Sequence, residues 1–221
     1  MGSLDIILFA MVAGFIILRL RSELGNKSGG EPNPPGEVDP TQTNRNSIGN
    51  DNIINGEYEP SADNVIPLES NPELRGAFRQ IQAADGNFTI SNFLHGARTV
   101  YKMVLESFWS GDRETLKSYL SQDIYDQFEG AITAREKAEH VLENKILDIV
   151  KIDIVDASLK NKTAEITVHF KAEIIAVTRD KDGNAIDGNM SDATILNDKW
   201  TFTHDTLSND PSWLLVATHA G

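Results

Sequence analysis

Residues 93–113, FLHGARTVYKMVLESFWSGDR, carry the strongest periodic signal in the chain and decide the first half of the fold. Apolar side chains recur there at helical spacing, with Arg98, Lys102 and Glu106 off the apolar stripe. Gly111 is a residue type that ends helices, and Asp112 is a type that caps the start of the next one. The pattern therefore predicts a helix with one buried face. Its apolar stripe consists of Phe93, Ala97, Val100, Tyr101, Val104, Leu105 and Phe108.

Helices are also predicted on both sides of this one. RETLKSYL follows directly, and SQDIYDQFEGAITAREKAEHVLE then starts at Ser121 as N-cap, with Tyr125, Phe128 and Ile132 on its inner face. Upstream, Pro72 opens a short amphipathic helix. That helix either lies on an anionic membrane surface or packs on its own domain, which is the commoner outcome for so short an element. Its candidate membrane-surface residues are Leu74, Arg75, Phe78, Arg79 and Ile81.

From Lys145 onward the apolar period changes from nearly four residues to two, which indicates strands. Val150, Ile152 and Ile154 alternate with polar residues, and TAEITVHFKAEI alternates from Ala164 to Ile174. RDKDGNAIDGN is predicted to be a long turn, followed by a strand with Trp200, Phe202 and His204 and by the closing SWLLVAT. Helices followed by strands predict an α+β fold, in which the helices pack on one face of a curved four-stranded antiparallel sheet.

The N-terminus, MGSLDIILFAMVAGFIILRLR, predicts a transmembrane anchor over residues 4–20. The stretch from Gly2 to Leu20 spans roughly 28 Å as a helix, close to the thickness of the hydrocarbon core. Arg19 and Arg21 after the run place the rest of the chain on the cytoplasmic side by the positive-inside rule. A buried core helix is the alternative. The apolar anchor residues are Ile6, Ile7, Leu8, Phe9, Met11, Val12, Phe15, Ile16, Ile17 and Leu18.

Residues 22–71 are predicted to be a disordered linker. They hold six of the eight prolines and are dominated by Asn, Gly, Ser and acidic residues. About fifty flexible residues have an r.m.s. reach of roughly 40 Å. Two short apolar islands, NIING and NVIPL, are candidate docking motifs, although such islands also arise by chance in a linker of this length.

The overall charge excludes one large class of partner. Thirty-three acidic and twenty basic side chains give a net charge of -13, which disfavours nucleic acid because its binding rests on Lys and Arg. The chain has no cysteine, which excludes thiol catalysis and cysteine-ligated zinc.

No catalytic or metal-binding constellation is found in the sequence, and no cofactor is expected. His95, His169 and His204 lack the spacings of a catalytic triad or dyad and are interpreted as structural. The turn DKDGNAIDGN contains several oxygen donors. A calcium-binding EF-hand loop, however, requires Gly at its sixth position and Glu at its twelfth, where this chain has Ala185 and Ser191. We therefore interpret it as a hairpin turn.

Residues 72–220 resemble the C-terminal domain of the mitochondrial inner-membrane translocase subunit 44 family and its bacterial homologues. The phrases that carry the resemblance are FLHGARTVYKMVLESFWSGDRETLKSYLSQDIYDQFEGAITARE, AEITVHF, DGN, DKWTFTHD and DPSWLLVAT. The resemblance implies a cone like that of nuclear transport factor 2 over residues 72–221, with an apolar pocket. Clustered aromatic residues are candidates to line it, although most are expected to be core: Phe108, Tyr125, Phe128, Phe170, Trp200 and Phe202.

The resemblance also implies a non-enzymatic role at an inner membrane. Mitochondrial members carry a transit peptide and a basic helical region, whereas this chain has an apolar anchor and a linker, as expected of a bacterial, single-pass protein with a cytoplasmic domain. We expect a scaffold that assists protein assembly or translocation and contacts membrane lipids and an inner-membrane protein or chaperone. A pocket enzyme or carrier for a hydrophobic small molecule is the alternative. Ribosome docking is a third hypothesis, against which the acidic charge counts.

Overall fold

The computed structural model describes residues 71–221, which form four helices followed by five strands. The anchor predicted over residues 4–20, with Arg19 and Arg21, and nearly all of the linker predicted over residues 22–71 lie outside the described residues. The helices are α1 (Pro72–Ala84), α2 (Ile90–Ser110), α3 (Arg113–Tyr119) and α4 (Gln122–Lys137). The strands are β1 (Val141–Leu142), β2 (Lys145–Lys160), β3 (Thr163–Arg179), β4 (Ala185–Asp205) and β5 (Leu214–Ala220).

The turns between the helices form where the sequence predicts them. Gly111 adopts φ 79°, a left-handed conformation that glycine adopts without strain, and ends α2. The Asp112 side chain accepts the backbone N–H of Thr115 at 3.1 Å and caps α3. Arg113 then donates to both carboxylate oxygens of Glu136, at 3.0 and 2.8 Å, which ties the start of α3 to the end of α4.

Helix α4 ends earlier than the sequence pattern indicates. The predicted segment continues to Glu143, whereas the helix stops at Lys137. Glu139 has φ 56°, and the N–H of His140 donates to the carbonyl of Arg135 at 3.1 Å, a hydrogen bond typical of a helix C-terminus. This early end frees Val141 and Leu142 to pair with β3 as a fifth, very short strand.

The strands form one antiparallel sheet, and the α+β prediction is confirmed. The order is β1-β3-β4-β5, and β2 pairs with β3 on the same side as β1. The even-numbered residues of β3 from Ala164 to Ile174 are all buried, with the odd-numbered ones only partly covered. The helices therefore cover one face of the sheet, as the alternation predicts.

Two predictions about the strands are wrong in detail. The turn is shorter than expected, because Asp180 accepts the N–H groups of Asp182 and Asn184 at 2.9 Å each and closes it by Asn184, so β4 already begins at Ala185. Val150 is 42% exposed rather than inward, and Ile149 takes the buried position. The reason is a set of register shifts in β2, each of which inserts one residue and moves the following side chain to the other face.

The core lies between the helices and the covered sheet face. α1 contributes Leu74, Phe78 and Ile81 to it, and α4 contributes Ile124, Phe128 and Ile132. The largest buried side chains come from α2 and the central strands, with Tyr101, Phe170 and Trp200 at 0% exposure.

Candidate functional site

A buried polar cluster lies in the middle of this aromatic core. The hydroxyl of Tyr101 on α2 donates to Oδ2 of Asp198 on β4 at 2.6 Å. The Tyr101 ring stacks on Phe170 of β3, with centroids 4.2 Å apart, and contacts Trp200 at 4.7 Å. Nε1 of Trp200 is buried and has no hydrogen-bond partner among the described residues. The cluster thus consists of one buried hydrogen-bonded pair, Tyr101 and Asp198, packed among aromatic rings.

The elements bring these residues together by simple periodicity. Tyr101 follows Ala97 by four positions on the buried stripe of α2, so its ring points into the core. Asp198 and Trp200 are two apart on β4 and share its covered face, where Asp198 pairs with Phe170 and Trp200 with Val168.

Burial dominates the electrostatics of the cluster. It raises the pKa of Asp198 from 3.8 to about 6, because a carboxylate loses its hydration there, while the hydrogen bond from Tyr101 partly offsets the rise. The pKa of Tyr101 is also raised, first by burial and then by the negative charge and hydrogen bond of Asp198. Asp198 therefore changes its charge near pH 6, and Tyr101 remains a hydrogen-bond donor.

The Asp198 carboxyl group can hold one proton or accept one further hydrogen bond besides that from Tyr101. The cluster lacks the nucleophile, base and orienting group of covalent catalysis among its residues. Across residues 71–221, no group of three or more His, Cys, Asp or Glu is placed to hold a metal ion.

Sequence reasoning missed both polar members of the cluster. The sequence pattern places Tyr101 on the apolar stripe of α2 and gives Asp198 no role. The alternation of the strand does point to Asp198. It lies an even number of positions from Trp200, Phe202 and His204, and so occupies a core-facing position in its strand. A carboxylate at such a position requires a partner.

The candidate pocket residues divide into two groups. Phe128, Phe170, Trp200 and Phe202 are buried in the packed core, as expected for most of the set. Phe108 and Tyr125 are half-buried and pack against that core. Arg135 donates to the carbonyl of Phe108 at 3.0 Å, and its guanidinium lies 5.5 Å from the centre of the Phe108 ring. A pocket-lining role for the six residues stays a prediction.

The predicted membrane-surface helix is α1. Its apolar residues Leu74, Phe78 and Ile81 are covered by the domain itself, at 6%, 2% and 0% exposure. Arg75 and Arg79 are exposed. A membrane role for α1 stays a prediction, and in this fold it rests on the two arginines.

A cleft of about 400 Å³ lies at the end of the sheet near His204. Nδ1 of His204 donates to the carbonyl of Ser212 at 3.0 Å, and Nε2 lies 3.8 Å from Oδ2 of Asp85. Its ring stacks on Trp213. These contacts agree with a structural role for His204. The cleft is lined by Ser118, Thr163, Thr203, His204, Asp205, Ser208, Asp210, Ser212 and Leu214.

His169 lies on the face of the sheet opposite the helices. It is half-buried, and its Nδ1 is 3.9 Å from Oδ2 of Asp153. Asp153 is itself buried at 3% exposure, and its Oδ2 lies 2.6 Å from Nζ of Lys151 in an ion pair. His95 is exposed on α2. The three histidines lie in three separate environments, which gives no support to a shared site.

None of the helices within residues 71–221 combines the length and the apolar character needed to cross a membrane.

Comparison with known proteins identifies the family to which the chain is similar. Residues 74–220 match the family described as Tim44-like domain. The probable mitochondrial import inner membrane translocase subunit tin-44 of Caenorhabditis elegans is 23% identical over 151 residues, which cover 66% of this chain and 36% of that protein. The mitochondrial import inner membrane translocase subunit TIM44 of Mus musculus is 24% identical over 152 residues, 67% of this chain and 34% of the relative. The chain thus spans about a third of the length of these relatives.

Among solved structures, the intermembrane space region of the chloroplast protein ARC6 is similar over 58% of this chain and 97% of that chain, with 11% identity. The TM-score is 0.42.

Proposed function

The chain belongs to the family of proteins with a Tim44-like domain, and from this membership we infer that it is a non-enzymatic binding module that assists protein assembly or translocation at an inner membrane. The match over residues 74–220 carries the proposal. The relatives that share this region are named as mitochondrial import inner membrane translocase subunits. A protein-binding or lipid-binding role is the class of function that suits a domain without a catalytic constellation in its described part.

We propose that the domain is held at the membrane by its own N-terminus. Residues 4–20 are the anchor and residues 22–71 the linker, which leaves residues 72–221 as the binding domain. Arg19 and Arg21 favour a cytoplasmic position for that domain. The protein is then a single-pass protein of a bacterial inner membrane, and its linker lets the domain search for a partner roughly 40 Å from the anchor.

The partners proposed are an inner-membrane protein or chaperone and the membrane lipids. The arrangement of four helices on one sheet face supports a cone like that of nuclear transport factor 2. Half-buried Phe108 and Tyr125 are suited to meet an apolar ligand, whereas Phe128, Phe170, Trp200 and Phe202 form the wall behind them. Arg75 and Arg79 are suited to meet anionic headgroups.

Deletion of residues 1–21 tests the tether. We expect the shortened protein to leave the membrane fraction and to lose its function in the cell. The matched control replaces residues 1–21 with an unrelated membrane-spanning helix of the same orientation, and it restores both properties. Full function of the deleted form, released from the membrane, contradicts the proposal.

A carrier or enzyme for a hydrophobic small molecule is the second candidate, and one observation favours it. Asp198 is a carboxylate buried in an aromatic core, and burial raises its pKa to about 6. This function predicts that Asp198→Asn abolishes activity in the cell while the protein still accumulates. Normal activity of the Asp198→Asn variant removes this candidate and leaves the binding module in place.

A further inference from the structure

The face of the sheet opposite the helices carries two neighbouring rows of like charges. In the basic row, Lys151 of β2 pairs directly with Lys171 of β3. In the acidic row, Asp148 of β2 pairs directly with Glu173 of β3. Side chains directly opposite each other on adjacent strands share a face, and like charges in this position destabilise the strand pair. Both rows are therefore unfavourable within a single chain.

The β2 members of the two rows each have a charged neighbour within the chain. Nζ of Lys151 lies 2.6 Å from Oδ2 of Asp153. Oδ1 of Asp148 lies 3.4 Å from Nη2 of Arg98, and both of these side chains are largely exposed. The repulsion is thus partly relieved on β2.

The β3 members have no such relief. Lys171 and Glu173 are half-buried on the central strand of the sheet. Neither side chain has an ion pair or a hydrogen bond to another residue within 71–221. Half-buried charges lose part of their hydration, so an opposite charge from outside the chain would be favourable at both positions. Two unpaired charges of opposite sign therefore remain available to a partner.

The order of the two rows makes this face complementary to itself. The rows are neighbours along β3, about 6.7 Å apart at two residues of an extended strand. A two-fold axis that runs between the rows and parallel to them places the basic row of one copy over the acidic row of another. Lys171 then faces Glu173 of the second copy, and Lys151 faces Asp148. A two-fold interface forms each of these contacts twice.

The next rows outward are compatible with the same axis, because none of their facing pairs is of like charge. From one copy to the other, these pairs are Asp153 with Lys145, His169 with Ile175, and Lys199 with Ala193. Asp156, opposite the uncharged Thr167, lies still further from the axis. The net charge of -13 makes copies of the chain repel one another in general. A face on which opposite charges match is therefore favoured over other orientations.

We propose that two copies of this chain form a two-fold dimer through the sheet face opposite the helices, with each basic row on the acidic row of the other copy. This inference is independent of the proposed function, and either can fail without the other. The helices lie on the far side of the sheet, so Phe108 and Tyr125 stay outside the interface. The dimer thus presents two helical surfaces, which point in opposite directions.

Analytical ultracentrifugation of the full chain, purified in mild detergent, tests the proposal. The variants are Lys171→Glu and Glu173→Lys, each of which places like charges across the interface. We expect each variant to raise the dissociation constant of the dimer at least about tenfold. The matched control is Lys117→Glu, a charge reversal at an exposed position of α3, which leaves the constant unchanged.

An equimolar mixture of the two variants gives the sharpest result. In a mixed dimer, one contact joins the two reversed charges and the other joins two native charges, and both contacts are between opposite signs. We expect the mixture to dimerise with a dissociation constant close to that of the wild type. A monomeric wild type overturns the proposal, and so does a dimer that both variants leave intact. Variants that lose the dimer and do not regain it on mixing overturn the proposed pairing as well.

The salt dependence of the wild-type dimer gives an independent readout. Contacts between partly exposed charges are screened by ions, whereas apolar association is not weakened by salt. We expect the dissociation constant to rise about tenfold between about 0.05 M and about 0.5 M sodium chloride. A constant that stays the same or falls over this range overturns a dimer held by the two charged rows.

Discussion

Tyr101 and Asp198 are joined by a 2.6 Å hydrogen bond in the core, although they are 97 positions apart in the chain. The bond joins helix α2 to strand β4 beside the stacked rings of Tyr101 and Phe170. Asp198 is buried at this point, so its ionisation couples the stability of the fold to pH.

The first prediction concerns that pH dependence. The pKa of Asp198 is raised from 3.8 to about 6 on folding. Between pH 3.8 and 6, Asp198 is therefore protonated in the folded state and ionised in the unfolded state. The contribution of Asp198 to the free energy of unfolding is therefore complete below pH 3.8 and falls by about 3 kcal/mol as the pH rises through 6.

Denaturant unfolding of the wild type and of Asp198→Asn, from pH 4 to pH 8, measures this term. We expect the difference in free energy between the two proteins to change across the window from about pH 4 to 6 and to be flat above 7. A difference that does not vary with pH contradicts the assignment of a raised pKa to Asp198.

The second prediction concerns the hydrogen bond itself. Tyr101→Phe leaves the ionised Asp198 carboxylate buried without its donor, which costs about 1 to 3 kcal/mol of unfolding free energy at pH 8. The cost is smaller at pH 4.5, because Asp198 is then protonated. Tyr125→Phe is the control, since Tyr125 is half-buried, its hydroxyl has no hydrogen bond among the described residues, and loss of that hydroxyl should change little. A loss that is the same at both pH values would show that only packing is affected.

The third prediction separates core from surface aromatic residues. Trp200 is completely buried, and Trp200→Ala should lower the free energy of unfolding by about 3 to 5 kcal/mol. Phe108 is half-buried, so Phe108→Ala should have a distinctly smaller effect. Circular dichroism during denaturant unfolding measures both. Equal losses would mean that Phe108 belongs to the core and is not available to a ligand.

The fourth prediction concerns Gly188 in β4. Gly188 has φ 77°, and a Cβ built there lies 2.0 Å from the carbonyl oxygen of Ala176, so any side chain forces the backbone of the β3–β4 hairpin to move. Gly183 has a similar φ of 83° but nothing within 4 Å of its added Cβ. Gly183→Ala thus incurs only the strain of a left-handed residue, about 1 to 2 kcal/mol.

We expect Gly188→Ala to lower the thermal midpoint more than Gly183→Ala and to increase hydrogen exchange in residues 175–179 and 185–193. Equal midpoints for the two variants would mean that the close approach to Ala176 is relieved at little cost.

Much of the fold could be predicted because its signals are local. The stripe of α2, the turn at Gly111 and Asp112, and the alternation from Ala164 to Ile174 each depend on spacing within one element, and the structure has all of them. The order of helices and strands then limits the architecture to helices on one face of a sheet.

The remainder depends on contacts between distant segments. In β2, the residues that face the helices include Ile146, Ile149 and Ile152, which are three apart because each bulge adds a residue, so simple alternation selects Val150 wrongly. Asp198 illustrates the same limit for the site. Its parity marks it as inward-facing, but only the packing of α2 against β4 identifies Tyr101 as its partner.

Cross-linking mass spectrometry of the full chain in its native membranes tests the central claim most directly. The proposed binding module predicts reproducible cross-links from residues 71–221 to a small set of inner-membrane assembly, translocation or chaperone proteins, and their loss when residues 1–21 are deleted. Cross-links only to abundant neighbours, unchanged by the deletion and accompanied by a single co-purified hydrophobic small molecule, would contradict it and support the carrier or enzyme.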